Sequence, residues 1–232
     1  MAKGKTDNDI KDKTDILQKY ILNNCIDNDP FSGPARYFPR KALECCKNKF
    51  FLSDRHIEMI YATLTAWGMH RLGEKGAEMP DYKCFKCSIL RCKSDIEELK
   101  SNEIDKLTEI ESTIKDLHDL AFNKIRASET NSRLVSSTKV LAHILPDFVP
   151  PMDWNYTGNF FGYKYTDSYD KQSQIFKNVM QTLWQVYQDE KVREKASKYH
   201  GISLPKLFDN AIIQIRREED AKEKKEKAKA KK

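Results

Sequence analysis

The chain has 232 residues, of which 33% are charged and 39% are hydrophobic, a balance that favours a soluble, helix-rich protein. Its apolar runs are all shorter than the roughly 18 residues of a membrane span. The polar start MAKGKTDNDIKDK has no apolar signal core, which predicts a cytoplasmic location. These features exclude the membrane-protein class.

The net charge of +6 is unevenly distributed. The tail from Arg216 carries nine Lys/Arg against five Asp/Glu, so most of the net charge lies there. A weakly positive body is compatible with nucleic-acid binding without requiring it.

The first third of the chain predicts a disordered start and three helices. Residues 1 to about 11 are predicted to be disordered, and Thr14 is predicted to cap the first helix. A short helix is expected from about Pro39 to Lys47. Few segments of the chain alternate with a period of two, so an all-α fold is expected.

Ser53 starts a clearer helix, with apolar residues at helical spacing up to Leu72 and Gly73 as its predicted stop. Trp67 lies on this apolar face and is expected in the core. Arg71 is a candidate contact for a phosphate or a base, and a surface ion pair is its alternative.

Six cysteines occur in the chain, and three of them are close together at Cys84, Cys87 and Cys92. The first two have the C-x2-C spacing of half a metal site. In a cytosolic chain, reduced structural thiols are the preferred interpretation. Because glycine-rich nucleotide motifs are also missing, we expect neither a metal nor another cofactor.

The central stretch predicts a helix, a turn and a second helix. A long helix from Asp95 to about Arg126 is expected, with a break near Ser101 as the alternative. After a turn, any of three hydroxyl residues can cap a helix that runs to about Leu145, where Pro146 stops it. These residues are Ser136, Ser137 and Thr138.

Lys139 is predicted in the first turn of that second helix. The positive end of the helix dipole disfavours another positive charge there. Partial desolvation would lower the lysine pKa further and free a neutral amine, as a Schiff-base nucleophile requires. The alternative is a solvated surface lysine. His143 follows four residues later on the same face and either lines the same site or packs in the interior.

Asp153 follows a seven-residue link that contains Pro150 and Pro151. Such a link reaches roughly 23 Å at about 3.3 Å per residue, whereas Lys139 to Leu145 spans roughly 9 Å of helix. The link can therefore bring Asp153 back beside Lys139, where it would cap the next segment. Four aromatic residues of that segment are candidates to hold a flat ring, with core packing as their alternative: Trp154, Tyr156, Phe160 and Phe161.

This arrangement of helix, turn, second helix with an early lysine, and loop ending Pro-x-Asp resembles the helix-hairpin-helix superfamily of base-excision DNA glycosylases. The resemblance implies that Lys139 attacks the sugar C1′ as the base leaves. It implies that Asp153 stabilises the developing positive charge and assists proton transfer. Two further patterns, Trp67-Gly68-Met69-x-Arg71 and Pro150-Pro151-x-Asp153-x-x-Tyr156-Thr157-x-x-Phe160-Phe161, resemble those of a set of uncharacterised bacterial proteins.

The remaining sequence predicts two more helices, one from about Asp170 and one from Ser203 and Pro205. The expected architecture is one helical domain over residues 12–215 with seven to nine helices. The Lys-rich tail over 216–232 is either a helix extension or disordered.

The resulting hypothesis is a monomeric DNA glycosylase-like enzyme that acts with Lys139 and Asp153 on a flipped base. A non-catalytic helical module that binds nucleic acid or protein is the alternative. Candidate DNA contacts are Ser136, Ser137, Thr138, His143, Trp154, Tyr156, Phe160 and Arg71.

Overall fold

A computed structural model of the chain describes residues 7–27, 31–69, 78–102, 110–199 and 201–229. These residues form helices and loops and contain no strand, so the all-α prediction is confirmed. The helices are α1 (Asp7–Asn23), α2 (Pro34–Cys46), α3 (Asp54–Ala66), α4 (Tyr82–Arg91), α5 (Lys93–Ser101), α6 (Ile110–Asp119), α7 (Leu134–Ile144), α8 (Tyr169–Gln188), α9 (Glu190–Ser197) and α10 (Leu204–Lys229).

The described ranges hold slightly more helices than expected because two predicted long helices are divided. α5 ends at Ser101, and Asn102 is extended with ψ 131°, as the alternative break near Ser101 predicted. The helix α8 ends at Gln188, and the side chain of Asp189 then caps α9.

α1 begins earlier than the sequence predicted. Residues from Asp7 are helical, so disorder was the wrong prediction for residues 7–11, while residues 1–6 lie outside the described ranges. Ile10 is buried and anchors this first part of the helix. Thr14 is not a cap, since its hydroxyl lies inside the helix and is 3.0 Å from the Ile10 carbonyl and 2.8 Å from Gln185 Oε1.

α2 begins at Pro34 rather than at Pro39, which lies inside the helix. A proline has no N–H to donate, so Pro39 leaves the carbonyl of Ala35 without its helical partner. The indole Nε1 of Trp67 donates to that carbonyl at 3.1 Å. The proline therefore creates the acceptor that fixes Trp67 against α2.

α3 begins as predicted, with the Ser53 hydroxyl accepting from the His56 N–H. It ends at Ala66, earlier than the predicted stop at Gly73. Gly68 follows with a φ of 77°, a conformation that favours glycine. Arg71 and Gly73 lie outside the described residues.

The helices enclose one apolar core that draws on α1, α3 and α6 through α8 and on the inner face of α10. α6 continues into a π-helical turn, Leu120–Lys124, which packs against α7. Residues 125–133 connect the two. In the described part of the chain, no helix is both long and apolar enough to cross a bilayer.

The start of α10 is close to the predicted one, since its first residue is Leu204. The helix continues without interruption past Arg216, and from residue 217 its residues are exposed. The described part of the Lys-rich tail is thus a helix extension, the first of its two predicted states.

Candidate functional site

The first turn of α7 is held by a side chain from α8. Gln172 is buried, and its Oε1 accepts from the backbone N–H groups of Arg133 and Leu134 at 2.9 and 2.8 Å. Its Nε2 donates to the Asn131 carbonyl at 2.8 Å. This residue satisfies N–H groups that a helix start leaves unpaired, so α7 begins at Leu134.

Ser136, Ser137 and Thr138 are therefore not caps, and the prediction that they cap the helix was wrong. All three lie inside α7 and are at most 1% exposed. Ser136 Oγ donates to the Arg133 carbonyl at 3.1 Å, whereas Ser137 Oγ is buried and has no hydrogen-bond partner among the described residues. Their burial also leaves no surface for the direct DNA contact that was predicted for them.

Thr138 links α7 to the segment that carries Asp153. Its hydroxyl donates to the Leu134 carbonyl at 2.8 Å and accepts from the Met152 N–H at 3.1 Å. Since Thr138 precedes Lys139 and Met152 precedes Asp153, this bond brings the two functional candidates together. The chain between them turns back along α7, as the length of the link predicted.

Asp153 is the cap that the sequence predicted. It is extended, with a φ of −147°, and its Oδ1 accepts from the Tyr156 N–H at 2.7 Å. The segment that it caps is a π-helical turn, Trp154–Gly158. The carboxylate is half-buried and is fixed at the start of this turn beside α7.

Lys139 is the sixth residue of α7, so its predicted place in the first turn was wrong. The helix dipole acts mainly on the first turn, and it is not what alters this lysine. Burial is the main cause that lowers the pKa of Lys139. Asp153 is the carboxylate that opposes this effect most strongly. Within the described ranges, no carboxylate oxygen is within 4.0 Å of Nζ, which lies 5.0 Å from the centre of the Trp67 ring.

A second lysine and carboxylate reach this site from α10. Asp209 is 4% exposed, and its Oδ2 is 2.7 Å from Lys206 Nζ. Burial raises the pKa of the Asp209 carboxyl, and Lys206 opposes that rise. The charges of Asp209 and Lys139 also influence each other. The sequence predicted neither residue at the site, because a Lys–Asp pair three residues apart on a helix is typical of a surface ion pair.

His143 lies in the interior and also lines a cavity. It is 3% exposed, and its Nδ1 is 2.7 Å from the Lys139 carbonyl, which can act only as an acceptor. The neutral ring therefore carries its proton on Nδ1 and its lone pair on Nε2. Burial lowers the pKa of His143 to about 4, so the ring is neutral at physiological pH.

The C-terminal end of α7 is capped by side chains from α2 and α3. His56 Nε2 donates to the His143 carbonyl at 3.2 Å, and Cys46 Sγ is 3.4 Å from the Ile144 carbonyl. His56 Nδ1 accepts from the Leu52 N–H at 3.1 Å, where the backbone φ is 53°. Burial lowers the pKa of His56 to about 4. These contacts hold α7 against the helices that form the cavity.

The cavity, here called the α2–α7 groove, has a volume of about 370 Å³, within the usual range of ligand sites. Its floor and one wall are apolar and include Trp67 and Phe31. Its polar groups include His143, Lys206, Asp147, Ser203 and the charged residues of α2. Lys139 lies behind the Trp67 wall rather than on the groove surface.

The aromatic residues after Asp153 do not line the groove, so their role in holding a flat ring stays a prediction. Trp154 packs edge to face on Tyr165 with ring centres 5.6 Å apart, and its Nε1 is buried without a partner. Phe160 is 5% exposed, with Lys13 Nζ 4.5 Å from its ring centre. Tyr156 is half-buried, with Arg217 6.0 Å from its ring centre.

Trp67 supplies the aromatic surface that was expected from those residues. It lies between Lys139 and the groove, and its ring centre is 5.4 Å from that of His143. The sequence analysis placed it in the core. The signal for its true place was Pro39, which leaves an acceptor on α2, but the pairing of that acceptor with Trp67 depends on tertiary structure.

The described residues contain no group of three or more His, Cys, Asp or Glu arranged to hold a metal ion. Cys84 and Cys87 lie on α4, and Cys84 is half-buried while Cys87 is exposed. Cys92 is buried, and its thiol donates to the Ser88 carbonyl at 3.2 Å. The Cys92 thiol is thus hydrogen-bonded to a helix carbonyl.

The chain matches no family model, no curated protein sequence and no solved structure. The site must therefore be interpreted from its own geometry and chemistry.

Proposed function

We propose that this chain is a DNA glycosylase-like enzyme that removes a damaged or modified base, with Lys139 and Asp153 acting at the sugar C1′. The observation that carries the proposal is the hydrogen bond from the Met152 N–H to Thr138 Oγ. It joins the segment of Lys139 to that of Asp153, whose carboxylate is fixed as a cap and whose charge acts on the lysine.

In the proposed reaction, the Lys139 amine bonds to C1′ as the glycosidic bond to the base breaks. The departing base takes the bonding electron pair and a proton, and the amine loses a proton. The lowered pKa of Lys139 increases the fraction of neutral amine that can react. The Asp153 carboxylate stabilises positive charge that develops on the sugar.

The groove provides a place for the base. Trp67 separates Lys139 from the groove and offers a flat aromatic face, and flipped bases stack on such faces. The His143 Nε2 lone pair and the Lys206 ammonium provide hydrogen-bonding groups on the same walls. Because Trp67 lies between the groove and Lys139, the proposed attack requires the Trp67 side chain to move aside.

The second candidate function is a non-catalytic helical module that binds nucleic acid or protein. The observation that favours it is the burial of Ser136, Ser137 and Thr138 behind a turn that has no glycine. Such a turn lacks the open backbone N–H groups that bind phosphate in the family that the sequence resembles.

Base release from duplexes with damaged or modified bases separates the two functions. Wild-type protein is expected to release free base from at least one of them. Asp153→Asn keeps the cap on the Tyr156 N–H but removes the charge, so it is expected to slow release by on the order of 10²–10³-fold. Mass spectrometry of the free base is the measurement.

The matched control is Asp170→Asn, which removes an exposed carboxylate at the start of α8, outside the groove lining. It is expected to leave base release within a few fold of wild type. Equal rates in wild type and Asp153→Asn would overturn the catalytic role of Asp153. No release by wild type from any substrate would favour the binding module.

A further inference from the structure

The outward-facing stripe of α2 that borders the groove is strongly basic. Arg36, Arg40, Leu43 and Lys47 follow one another at spacings of four, three and four residues and thus share one helix face. All four line the α2–α7 groove. The three cationic residues are exposed, so their charges face the groove opening and the solvent.

Two cations of this stripe, Arg40 and Lys47, meet few opposing carboxylates on the groove side. Among the described residues that line the groove, Asp147 is the one carboxylate. Arg40 and Lys47 form no ion pair with any carboxylate in the described ranges. Glu44, on the neighbouring stripe of the same helix, is 2.7 Å from Lys41, and its charge also interacts with that of Arg40. Arg40 and Lys47 therefore keep charges that no close ion pair in the described ranges neutralises.

The spacing of these cations fits a polyanion better than a small ligand. Arg40 and Lys47 are seven residues apart, or about 10.5 Å along the axis at roughly 1.5 Å per residue. At roughly 3.4 Å per phosphate along one DNA strand, this distance corresponds to about three phosphates. Lys206, on the groove wall from α10, is paired with Asp209 at 2.7 Å and adds no free charge.

We propose that the α2 stripe binds the phosphates of the DNA strand that carries the target base, with Arg40 and Lys47 as its phosphate contacts. The strand runs along α2 and passes the opening beside Trp67, where the flipped nucleotide enters. The inference rests on the proposed function for the identity of the ligand as DNA. It adds a backbone-binding surface that is separate from Lys139 and Asp153.

The test is the salt dependence of binding between the full-length protein and a fluorescent DNA duplex. Each lost phosphate contact reduces the slope of log affinity against log salt by about 1. The double variant Arg40→Ala/Lys47→Ala is therefore expected to reduce that slope by about 2. At saturating DNA, its rate of base release should approach that of wild type, because the reacting groups are intact.

The control is Lys171→Ala/Lys177→Ala, which removes the same charge from exposed positions on α8. This variant should keep the wild-type slope. Circular dichroism checks that both double variants remain folded, and single substitutions at Arg40 and Lys47 replace the double variant if it unfolds.

The outcomes separate this inference from the proposed function. Binding that depends on Arg40 and Lys47 without any base release would support the stripe and reject the enzyme. If wild-type protein releases base and Arg40→Ala/Lys47→Ala keeps the wild-type salt slope, the enzyme is supported and phosphate binding by the stripe is overturned. Equal slope losses in the groove and α8 variants would also overturn it, as would wild-type protein that binds no DNA.

Discussion

The two halves of α7 differ in what they do with their polar groups. In the first half, the Ser136 and Thr138 hydroxyls bond to backbone groups, and Gln172 of α8 accepts from the Leu134 N–H. The Ser137 hydroxyl has no partner among the described residues. In the second half, the ammonium of Lys139 and the Nε2 of His143 have no hydrogen-bond partner within the described ranges. The first half therefore supports the structure, and the second offers groups for chemistry.

A helix that is fixed at both ends can hold the poorly solvated ammonium of Lys139. A buried lysine without a close carboxylate is costly, and its helix must be held firmly elsewhere. Gln172 secures the start of α7, and His56 and Cys46 secure its end. Thr138, at the border of the two halves, connects the supporting half to Asp153.

The largest expected effect on the free energy of unfolding comes from acidification. It acts on His143, in the second half of α7, and on His56, which caps the end of that helix. His56 and His143 have pKa values of about 4 in the folded protein and about 6.5 when unfolded. Above pH 6.5, both states are neutral and stability is unaffected. As the pH falls from about 6.5 to 4, the unfolded state binds more protons, and roughly 3 kcal/mol per histidine is lost.

Urea unfolding at pH 7 and pH 4.5 measures this loss. His56→Gln keeps a donor for the His143 carbonyl and removes one titrating ring. It is expected to be less stable than wild type at pH 7 but to lose less stability on acidification. Equal losses in the two proteins would show that His56 is not a neutral cap in the folded state.

A smaller effect is expected at the border of the halves. Thr138→Val keeps the shape of the side chain but leaves the buried Met152 N–H without its acceptor. Such a loss costs about 1–3 kcal/mol. Because Asp153 follows Met152, base release should fall together with stability. Urea unfolding and base-release rates are the two measurements.

Ser137→Ala sharpens that test within the same turn of the helix. The Ser137 hydroxyl is buried and unpaired, so its removal should change stability by close to zero or slightly increase it. If Ser137→Ala destabilised the protein as much as Thr138→Val, the bond between Thr138 and Met152 would have no special role.

Local sequence signals predicted the features that depend on neighbouring residues. The helical class, the Ser53 and Asp153 caps and the stop of α7 before Pro146 all follow from turn and cap chemistry. The return of Asp153 towards Lys139 followed from chain length alone. Each of these depends on a few adjacent residues.

The sequence-based predictions were wrong where a side chain from a distant part of the chain makes the contact that was expected of a local residue. Gln172 of α8 caps the start of α7. The three local hydroxyls therefore lie inside the helix, and Lys139 lies in its second turn instead of the predicted first turn. Trp67 took the place expected for Trp154 because Pro39 frees an acceptor on α2. Asp209 reached the site from α10. No local pattern encodes such tertiary partners.

Reductive trapping on abasic DNA tests the central claim most directly. The protein would be incubated with abasic duplex at neutral pH, reduced with borohydride and analysed by peptide mass spectrometry. The account predicts a covalent adduct on the peptide that contains Lys139. This adduct should be lost in Lys139→Ala and retained in Lys171→Ala. An adduct that persists in Lys139→Ala, or that maps to another lysine, would contradict the claim that Lys139 is the nucleophile.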